Sequence, residues 1–472
     1  MTDYKKTIGI EVHVELKTKE KLFSPMINNY GSLANSNANI IDLGLPGVLP
    51  TLNREAIDLA IRACHVLHCK INHHMHFDRK NYFYPDNPKN FQITQERTPI
   101  GRDGYVEIND NGIKKKIEIL EMHIEEDTAK SIHAKNNTLL DFNRAGVPLI
   151  EIVTKPCIKS SREAVLYLEA LRELLLYAKV SDCKIEEGSM RCDANISISN
   201  SDKLGTKIEI KNIGSITNVG LAIEYDARRQ EELLSKGEIL KEETRRYDAK
   251  LDKTILMRVK ETGNDYRYFP EPDIPFFTID DEYINNIISE IPLNAYKRRE
   301  KYLNAGINTI NVDKIIANID ICDYMETLND VNLKTASNLL LGDISAYLNK
   351  KNISIFETKL TPSKMKDLVE KLDGNIISNK NFKEIVVDIM ESDLNIDEIL
   401  EKNNIKNVVD NKEIESLINK VLENNLNVVS DYLNGNERSL KYLMGQVMKE
   451  SHGSINPAKA NEMLVKLLEV KR

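Results

Sequence analysis

Residues 8–16 alternate strictly between apolar and polar side chains, which is the pattern of a β-strand with one buried face. Its even-numbered positions from 10 to 16 are apolar, whereas Glu11, His13 and Glu15 share the opposite face. A half-exposed strand usually carries small or solvated polar residues there, so a row of carboxylate, imidazole and carboxylate is unusual. The segment predicts a strand whose polar face consists of potential ligands.

The same kind of alternation recurs in three later segments of the chain. Ionisable or amide side chains occupy alternate or isolated positions among apolar residues at Glu121, His123 and Glu125, at Glu151, and at Arg191, Asp193 and Asn195. Because side chains two residues apart in a strand share a face, several such strands together would line one polar cavity. We expect a cavity suited to a cation, to phosphate, or to both.

Composition places the chain among soluble globular proteins. Its 472 residues predict two to four domains, and 41% hydrophobic and 29% charged residues are ordinary values for such a protein. We expect no membrane association and a cytoplasmic location, because no apolar run approaches the ~18 residues of a membrane span and no signal-peptide core follows Met1. The six scattered cysteines suit a reducing compartment. A net charge of −8 argues against a dedicated nucleic-acid coat but leaves room for a local binding face.

The pattern of elements predicts an α+β body followed by helices. Strands and helices mix up to about residue 290, with helices expected at about 54–69 after Asn53, after Ser160, and at about 219–236 before Gly237. After the Pro-rich stretch at 269–275, amphipathic helices continue to the end. We predict a body at 1–290, a helical domain at 291–405 and a small helical tail domain at 406–472.

Several long motifs carry a family resemblance that spans nearly the whole chain. The chain is similar to the family of the B subunit of the bacterial Asp/Glu-tRNA(Asn/Gln) amidotransferase (GatB/GatE) at residues 8–16, 77–86 (FDRKNYFYPD), 123–130, 143–153, 187–195 (EGSMRCDAN), 265–273 (DYRYFPEPD), 443–449 and 456–457. The fold that this resemblance implies is a cradle-shaped body with a largely antiparallel sheet, a helical domain and a tail that binds tRNA.

The resemblance also implies a reaction in three parts. A misacylated Glu-tRNA(Gln) or Asp-tRNA(Asn) is bound, ATP phosphorylates its side-chain carboxylate, and ammonia displaces the phosphate to give Gln-tRNA(Gln) or Asn-tRNA(Asn). The implied partners are an amidase or glutaminase subunit, which supplies the ammonia, and a small third subunit of the same complex. The implied cofactors are ATP and Mg²⁺. This agrees with the residues, because phosphoryl transfer uses Mg²⁺ and Mg²⁺ takes carboxylate oxygens as ligands.

Six residues are the candidates for metal binding and catalysis. The resemblance assigns this role to Glu11, His13, Glu125, Glu126, Glu151 and Asp193. Alternation sends Glu125 and Glu126 to opposite faces of a regular strand and favours Glu125, although a bulge would exchange them. For the first two candidates the alternative is a solvated strand face. For Glu151, which interrupts an apolar run, the alternative is a structural ion pair with Arg144.

Further candidates concern phosphate, ammonia and tRNA. The planar fork of Arg191 suits two phosphate oxygens, and Lys80 either lines the route of ammonia or is a solvated loop residue. Tyr82 and Tyr84 are candidates to contact adenine or the tRNA end, with packing as the alternative. The candidates for tRNA phosphates, against a solvated helical face, are Lys441, Lys449, Lys459 and Lys466.

The absence of some common sequence motifs limits the kinds of nucleotide and metal site that the chain can contain. The chain has no Walker loop and no dinucleotide fingerprint, so ATP would bind in a site of another kind. A structural zinc is not expected, because the stretch from Ser24 to Gly47 contains no cysteine, and the histidines of residues 73–76 are expected in an exposed loop. Two rival hypotheses use the same carboxylates: a stand-alone metal-dependent phosphohydrolase, and a tRNA-positioning scaffold with a structural metal. ATP turnover that depends on tRNA distinguishes all three.

Overall fold

The structure is a computed structural model that describes residues 4–259, 266–374, 376–403, 405, 411–436, 438–451 and 457–470. The chain divides into two compact units, residues 1–295 and 296–472. Asp265 and Asn456, which belong to two of the family motifs, lie outside the described residues. None of the described helices is long and apolar enough to span a lipid bilayer.

All the described strands belong to the first unit. They are β1 Lys5–Glu15, β2 Lys70–Ile71, β3 His74–Met75, β4 Asp78–Asn81, β5 Phe91–Thr94, β6 Gly101–Asp110, β7 Ile113–Glu126, β8 Lys130–His133, β9 Thr138–Asp141, β10 Pro148–Thr154, β11 Met190–Ser199, β12 Ile208–Lys211, β13 Glu243–Asp248, β14 Lys253–Val259, β15 Phe269–Pro270 and β16 Phe277–Thr278.

Nine of these strands form one sheet in the order β14-β13-β12-β11-β1-β10-β7-β6-β2. Among the described strand pairs only β12–β13 is parallel, whereas β1 is antiparallel to both of its neighbours, β10 and β11. The first strand of the chain therefore lies in the middle of the sheet. Its even-numbered residues from Ile8 to Val14, and Leu16 directly after it, are fully buried, whereas its odd-numbered residues are not, as the alternation predicts.

Helices cover the apolar face of the sheet. The helices of the first unit are α1 Arg54–Val66, α2 Ser161–Tyr177, α3 Ile216–Ser235 and α4 Asp281–Ser289, and α2 packs on β6 while α3 packs on β11 and β14. Asn53 and Ser160 cap α1 and α2 as predicted. The third helix begins three residues before the predicted start, because Ser215 caps it, and Gly237 follows its end with a φ of 78°.

All the regular secondary structure in the described part of the second unit is helical. Its helices are α5 Ala295–Asn304, α6 Thr309–Ala317, α7 Ile319–Glu326, α8 Leu333–Leu339, α9 Ser345–Lys351, α10 Pro362–Asp373, α11 Asn379–Glu391, α12 Ile396–Lys402, α13 Asn411–Asn424, α14 Leu426–Leu433, α15 Arg438–Glu450 and α16 Pro457–Val470, with a π turn at Leu340–Ile344 and a 3₁₀ turn at Ile355–Glu357. The α+β body followed by helices is thus confirmed.

The last four helices share a separate apolar core. It contains buried residues of α13, α15 and α16, among them Ile418, Leu443 and Leu464. Val429 of α14 completes this core. The tail helices therefore bury their apolar faces against one another. The boundary at 405/406 between helical domain and tail remains a prediction.

Candidate active site

The register of the sheet aligns four ionisable residues in one row across four strands. His13 of β1 lies opposite Glu151 of β10 on one side and opposite Arg191 of β11 on the other. Glu151 in turn lies opposite His123 of β7. Because residues directly opposite one another in paired strands share a face, the row Arg191–His13–Glu151–His123 crosses the polar face of the sheet.

One group of potential ligands forms in this row. Single ligand atoms of His13, Glu125 and Glu151 all lie within 4.8 Å of one another. His13 Nε2 is 3.4 Å from Glu125 Oε1 and 3.6 Å from Glu151 Oε2, and His123 Nε2 is 2.8 Å from the same oxygen of Glu151. The partners of Glu151 in the structure are therefore these two imidazoles.

The charges in this group shift the pKa values of its members. Burial opposes protonation of His13, but the neighbouring carboxylates of Glu151 and Glu125 outweigh it and raise its pKa to about 9. The same balance raises the pKa of His123. Burial would raise the pKa of Glu151, yet both imidazoles hold it well below its usual range. The site therefore stabilises positive charge at its centre, as either protons or a bound cation.

A second group lies beside the first, one row along β1. Glu11 is opposite Asp193, and one ligand atom each of Glu11, Asp193 and Glu209 of β12 lies within 4.8 Å of the others. Lys211 Nζ is 2.6 Å from Asp193 Oδ2 and 2.9 Å from Glu209 Oε1. Asn195 Nδ2 donates a 2.7 Å hydrogen bond to Glu11 Oε1. Two of the three carboxylates therefore pair with one ammonium group, and the third accepts a hydrogen bond from an amide.

Glu11 connects the two groups electrostatically. Its pKa is raised by burial first and by the nearby charge of Glu151 second, so its ionised form is costly without a cation. Burial opposes protonation of Lys211, but Asp193 and Glu209 together raise its pKa. The structure therefore brings Glu11, Glu151 and Asp193 to one place on the sheet, where positive charge balances them.

Arg191 is held in position by a carboxylate. Its Nη2 donates a 2.6 Å hydrogen bond to Asp127 Oδ2, and Arg144 Nε lies 3.4 Å from the same oxygen. Arg144 also donates to the backbone carbonyls of residues 128 and 129. Its described ion-pair partner is therefore Asp127, and the alternative in which it pairs with Glu151 does not describe this site.

Glu126 lies apart from both groups. Its carboxylate pairs with Lys89 and accepts a 2.9 Å hydrogen bond from the backbone N–H of Ile93, on the other side of β7 from Glu125. Alternation along a regular strand explains this separation, because β7 carries no bulge at these two residues. Of the six metal candidates, the structure brings five together and leaves Glu126 outside.

A cavity of about 810 Å³ opens beside the two groups. Its lining includes His13, Glu125 and Asp193 together with the cations Lys80, Lys130, Arg144, Arg191 and Lys211. Lys80 Nζ also lies 4.9 Å from the ring centre of Tyr266. Tyr82 lines the cavity, whereas Tyr84 does not and is 57% exposed. The cavity lining therefore combines seven carboxylates with five Lys and Arg side chains.

The candidate tRNA-binding lysines all lie in the last two helices. Lys441 and Lys449 of α15 and Lys466 of α16 are exposed, and Lys459 of α16 is half-buried. They surround the apolar core of the tail rather than forming part of it. Their role remains a prediction.

Three residues of the site were absent from the candidates that the sequence provided: Asp127, Glu209 and Lys211. The last two belong to Ile208–Lys211, which alternates exactly as β1 does, with both isoleucines fully buried. Four residues are too short for a convincing periodicity on their own, so the signal was present but weak. His123 was recognised on the polar face, but its contact with Glu151 depends on a register that the sequence does not reveal.

Comparisons with known proteins agree with this architecture. The family described as the GatB/GatE catalytic domain matches residues 6–285, and the family described as the GatB domain matches residues 323–468. The first match covers both acidic groups described above and every described strand, apart from the first residue of β1, Lys5. The second lies within the helical unit.

Curated relatives match over nearly their whole length. A protein of Limosilactobacillus reuteri is 44% identical over 474 residues, covering 99% of this chain and 100% of its own. Proteins of Geobacillus kaustophilus and Staphylococcus saprophyticus are each 43% identical, covering 98% and 99% of both chains respectively. Each of the three is named as the B subunit of an aspartyl/glutamyl-tRNA(Asn/Gln) amidotransferase.

Proposed function

Since the chain belongs to the GatB/GatE family, we propose that it is the member of a tRNA-dependent amidotransferase complex that activates and amidates the aminoacyl-tRNA. The substrates are Glu-tRNA(Gln), Asp-tRNA(Asn) or both, together with ATP and ammonia. The products are Gln-tRNA(Gln) or Asn-tRNA(Asn), ADP and phosphate. Both the family membership of the chain and the chemistry of the polar sheet face support this proposal.

The observation that carries the proposal is the pair of adjacent acidic groups beside a cavity that is lined by both carboxylates and cationic side chains. Glu11, Asp193 and Glu209 offer three carboxylates within 4.8 Å, which is the hard oxygen donor set that Mg²⁺ prefers. His13, Glu125 and Glu151 offer a mixed donor set of the same size. The residues therefore fit a divalent cation. When bound, Mg²⁺ supplies neutralisation of the phosphate oxygens as their charge develops.

The protein's own side chains position the reacting groups. Arg191, oriented by Asp127, and Lys211 hold phosphate oxygens, because a guanidinium fork and an ammonium group both favour that charge. The substrate carboxylate attacks the γ-phosphorus of ATP and ADP leaves. Ammonia then attacks the resulting acyl carbon, the bond from carbon to phosphate oxygen breaks, and the nitrogen loses a proton.

The remaining roles complete the proposed enzyme. Lys80 lines the cavity near Glu151 and is the candidate for guiding ammonia toward the acyl carbon. Ammonia comes from a partner glutaminase, joined through a small third protein of the complex, in the cytoplasm. The described surface of the large cavity provides no cysteine or serine paired with a histidine as a glutaminase nucleophile. The tail domain at 406–472 binds tRNA through Lys441, Lys449, Lys459 and Lys466.

The test is ATP turnover and amidation by the complex assembled with its partner subunits. With Mg²⁺, glutamine and misacylated tRNA, we expect amidated tRNA and one ADP for each amide formed. ATP hydrolysis at the same rate without tRNA would favour the phosphohydrolase. Binding of tRNA with no ATP turnover under any of these conditions would favour the scaffold. Either result would refute the proposal.

A further inference from the structure

The polar face of the sheet continues beyond Glu11 as a groove along β1 and β11. The register places Gly9 opposite Asn195, and Lys5 opposite Ser199, two and six residues from Glu11 respectively. Two neighbouring cavities of about 260 Å³ and 600 Å³ follow this path and share Thr7 and Leu204 as lining residues. The first contains Glu11 and the second contains Lys5. The groove therefore begins at the second acidic group.

The lining of the groove includes several small residues. Gly9 provides no side chain, and a Cβ there would only touch Thr154, at 3.9 Å. One side consists of Leu204, Gly205 and Lys207 from the loop between β11 and β12, and the other of Thr154 at the end of β10 and Pro156 after it. Leu204 is 67% exposed, so it offers an apolar surface to a flat ligand. The groove is open along its length rather than closed over a small molecule.

The far end of the groove is positively charged. Its lining holds four lysines, Lys5, Lys6, Lys159 and Lys203, against one carboxylate, Asp202. Lys6 is tied to Glu224 of α3 at 2.8 Å, which leaves three lysines toward the groove. The ion pair of Lys5 with Asp202 is weak, because the two side chains are 71% and 99% exposed. A phosphate of a polyanion can therefore replace Asp202 as the partner of Lys5 at little cost in free energy.

The second acidic group is thus reached from two sides. Asp193 lines the 810 Å³ cavity together with Arg144 and Arg191, whereas Glu11 lines the groove. A triphosphate is compact and suits the cavity, where Arg191 and Lys211 converge. The groove runs from Glu11 to Lys5, six strand residues or roughly 20 Å. That length and its distal lysines suit an extended strand with phosphates far from the reacting atoms.

We propose that this groove binds the single-stranded 3′ end of the RNA substrate. The esterified amino acid lies at Glu11, the terminal nucleoside packs against Leu204, and the preceding phosphates contact Lys5, Lys159 and Lys203. Hydroxyls of Thr7 and Ser199 face the ribose-phosphate backbone, which gives recognition of the backbone rather than of base sequence. The inference rests on the proposed function and specifies where its RNA substrate enters.

The test uses the complete amidotransferase complex with a charge-reversal variant, Lys159→Glu with Lys203→Glu. We expect the KM for misacylated tRNA to rise at least tenfold, while the KM for ATP and the kcat at saturating tRNA stay within twofold. The slope of log KM against log salt concentration should fall by about 0.7 for each lysine–phosphate contact with the single strand that the variant loses. Both side chains are exposed, so unchanged thermal unfolding confirms an intact fold.

A matched pair of single variants controls for general charge effects. Lys5→Glu breaks a 3.2 Å ion pair inside the groove. Lys70→Glu, on the edge strand β2 and outside the groove, breaks a comparable 3.3 Å ion pair with Asp103. Only the first should raise the KM for tRNA. An unchanged KM for tRNA in the groove variants, or a rise in the KM for ATP alone, would overturn the inference. Failure of the proposed function is seen separately, as absence of amidation by the wild-type complex.

Discussion

Replacing Glu11 by Gln tests the acidic groups most directly. The substitution removes one of three carboxylates that lie within 4.8 Å, while the amide oxygen can still accept the hydrogen bond from Asn195. Loss of a residue that only supports a metal ligand costs 10- to 100-fold in affinity or activity, so loss of a ligand should cost at least about 100-fold. That factor is about 2.8 kcal/mol at 1.4 kcal/mol for each tenfold change.

The same variant predicts a specific pattern of thermal stability. A Mg²⁺ concentration 100 times the Kd of the wild type stabilises its body by about 2.7 kcal/mol. A 100-fold weaker Kd at the same concentration leaves only about 0.4 kcal/mol. In a chelator the variant should unfold at the same temperature as the wild type or higher. Burial and Glu151 raise the pKa of Glu11, so its ionised carboxylate opposes folding above that pKa, and Gln removes this cost.

The assay combines amidation, partner glutaminase activity and thermal unfolding with and without Mg²⁺. We expect amidation to fall at least 100-fold, with glutaminase activity and tRNA affinity nearly intact. Glu121→Gln is the control, because Glu121 shares the polar face of β7 and pairs with Arg102 outside both groups. Retained amidation together with a wild-type Mg²⁺ shift in Glu11→Gln would remove Glu11 from the site.

Three further outcomes concern the rest of the chain. Deleting residues 406–472 should weaken tRNA binding at matched salt while the body keeps its unfolding transition, and an equal Kd would contradict the role of the tail. Asp323→Ala should destabilise the helical unit by about 3–5 kcal/mol, measured by denaturant unfolding, because it removes the carboxylate 2.8 Å from the buried Arg298. Gly104→Ala should cost about 1–3 kcal/mol, because its Cβ would lie 2.6 Å from a backbone oxygen, whereas Gly214→Ala, with open space around it, should change stability by less than about 0.5 kcal/mol. Equal stabilities of the two glycine variants would contradict this packing.

Periodicity predicted the polar face of the sheet because each strand encodes it locally. The two-residue repeat in β1 separates Ile10 from Glu11 without reference to any other strand, and the same repeat separates Glu125 from Glu126. Helix capping is equally local, which explains why Asn53 and its helix were predictable. Such features need only a few neighbouring residues.

Pairing between distant strands could not be predicted in this way. The partners of Glu151 depend on its alignment with His13 and His123, which come from strands 138 and 28 residues earlier in the numbering. The interpretation of residues 73–76 as an exposed loop was also wrong for His76, which is buried beside Asp78. Burial there results from the β3–β16 and β4–β15 pairs, whose members lie some two hundred residues apart.

The central place of β1 has a consequence for how the site comes into being. Its two neighbours begin at Pro148 and Met190, so the earliest strand has no lateral partner until well over a hundred further residues are available. Contacts that distant in sequence form slowly, because a long loop must close first. A nascent or truncated chain that ends before β11 therefore lacks Arg191 and Asp193, and its second acidic group is not assembled. Catalytic competence appears only with the closure of the whole sheet.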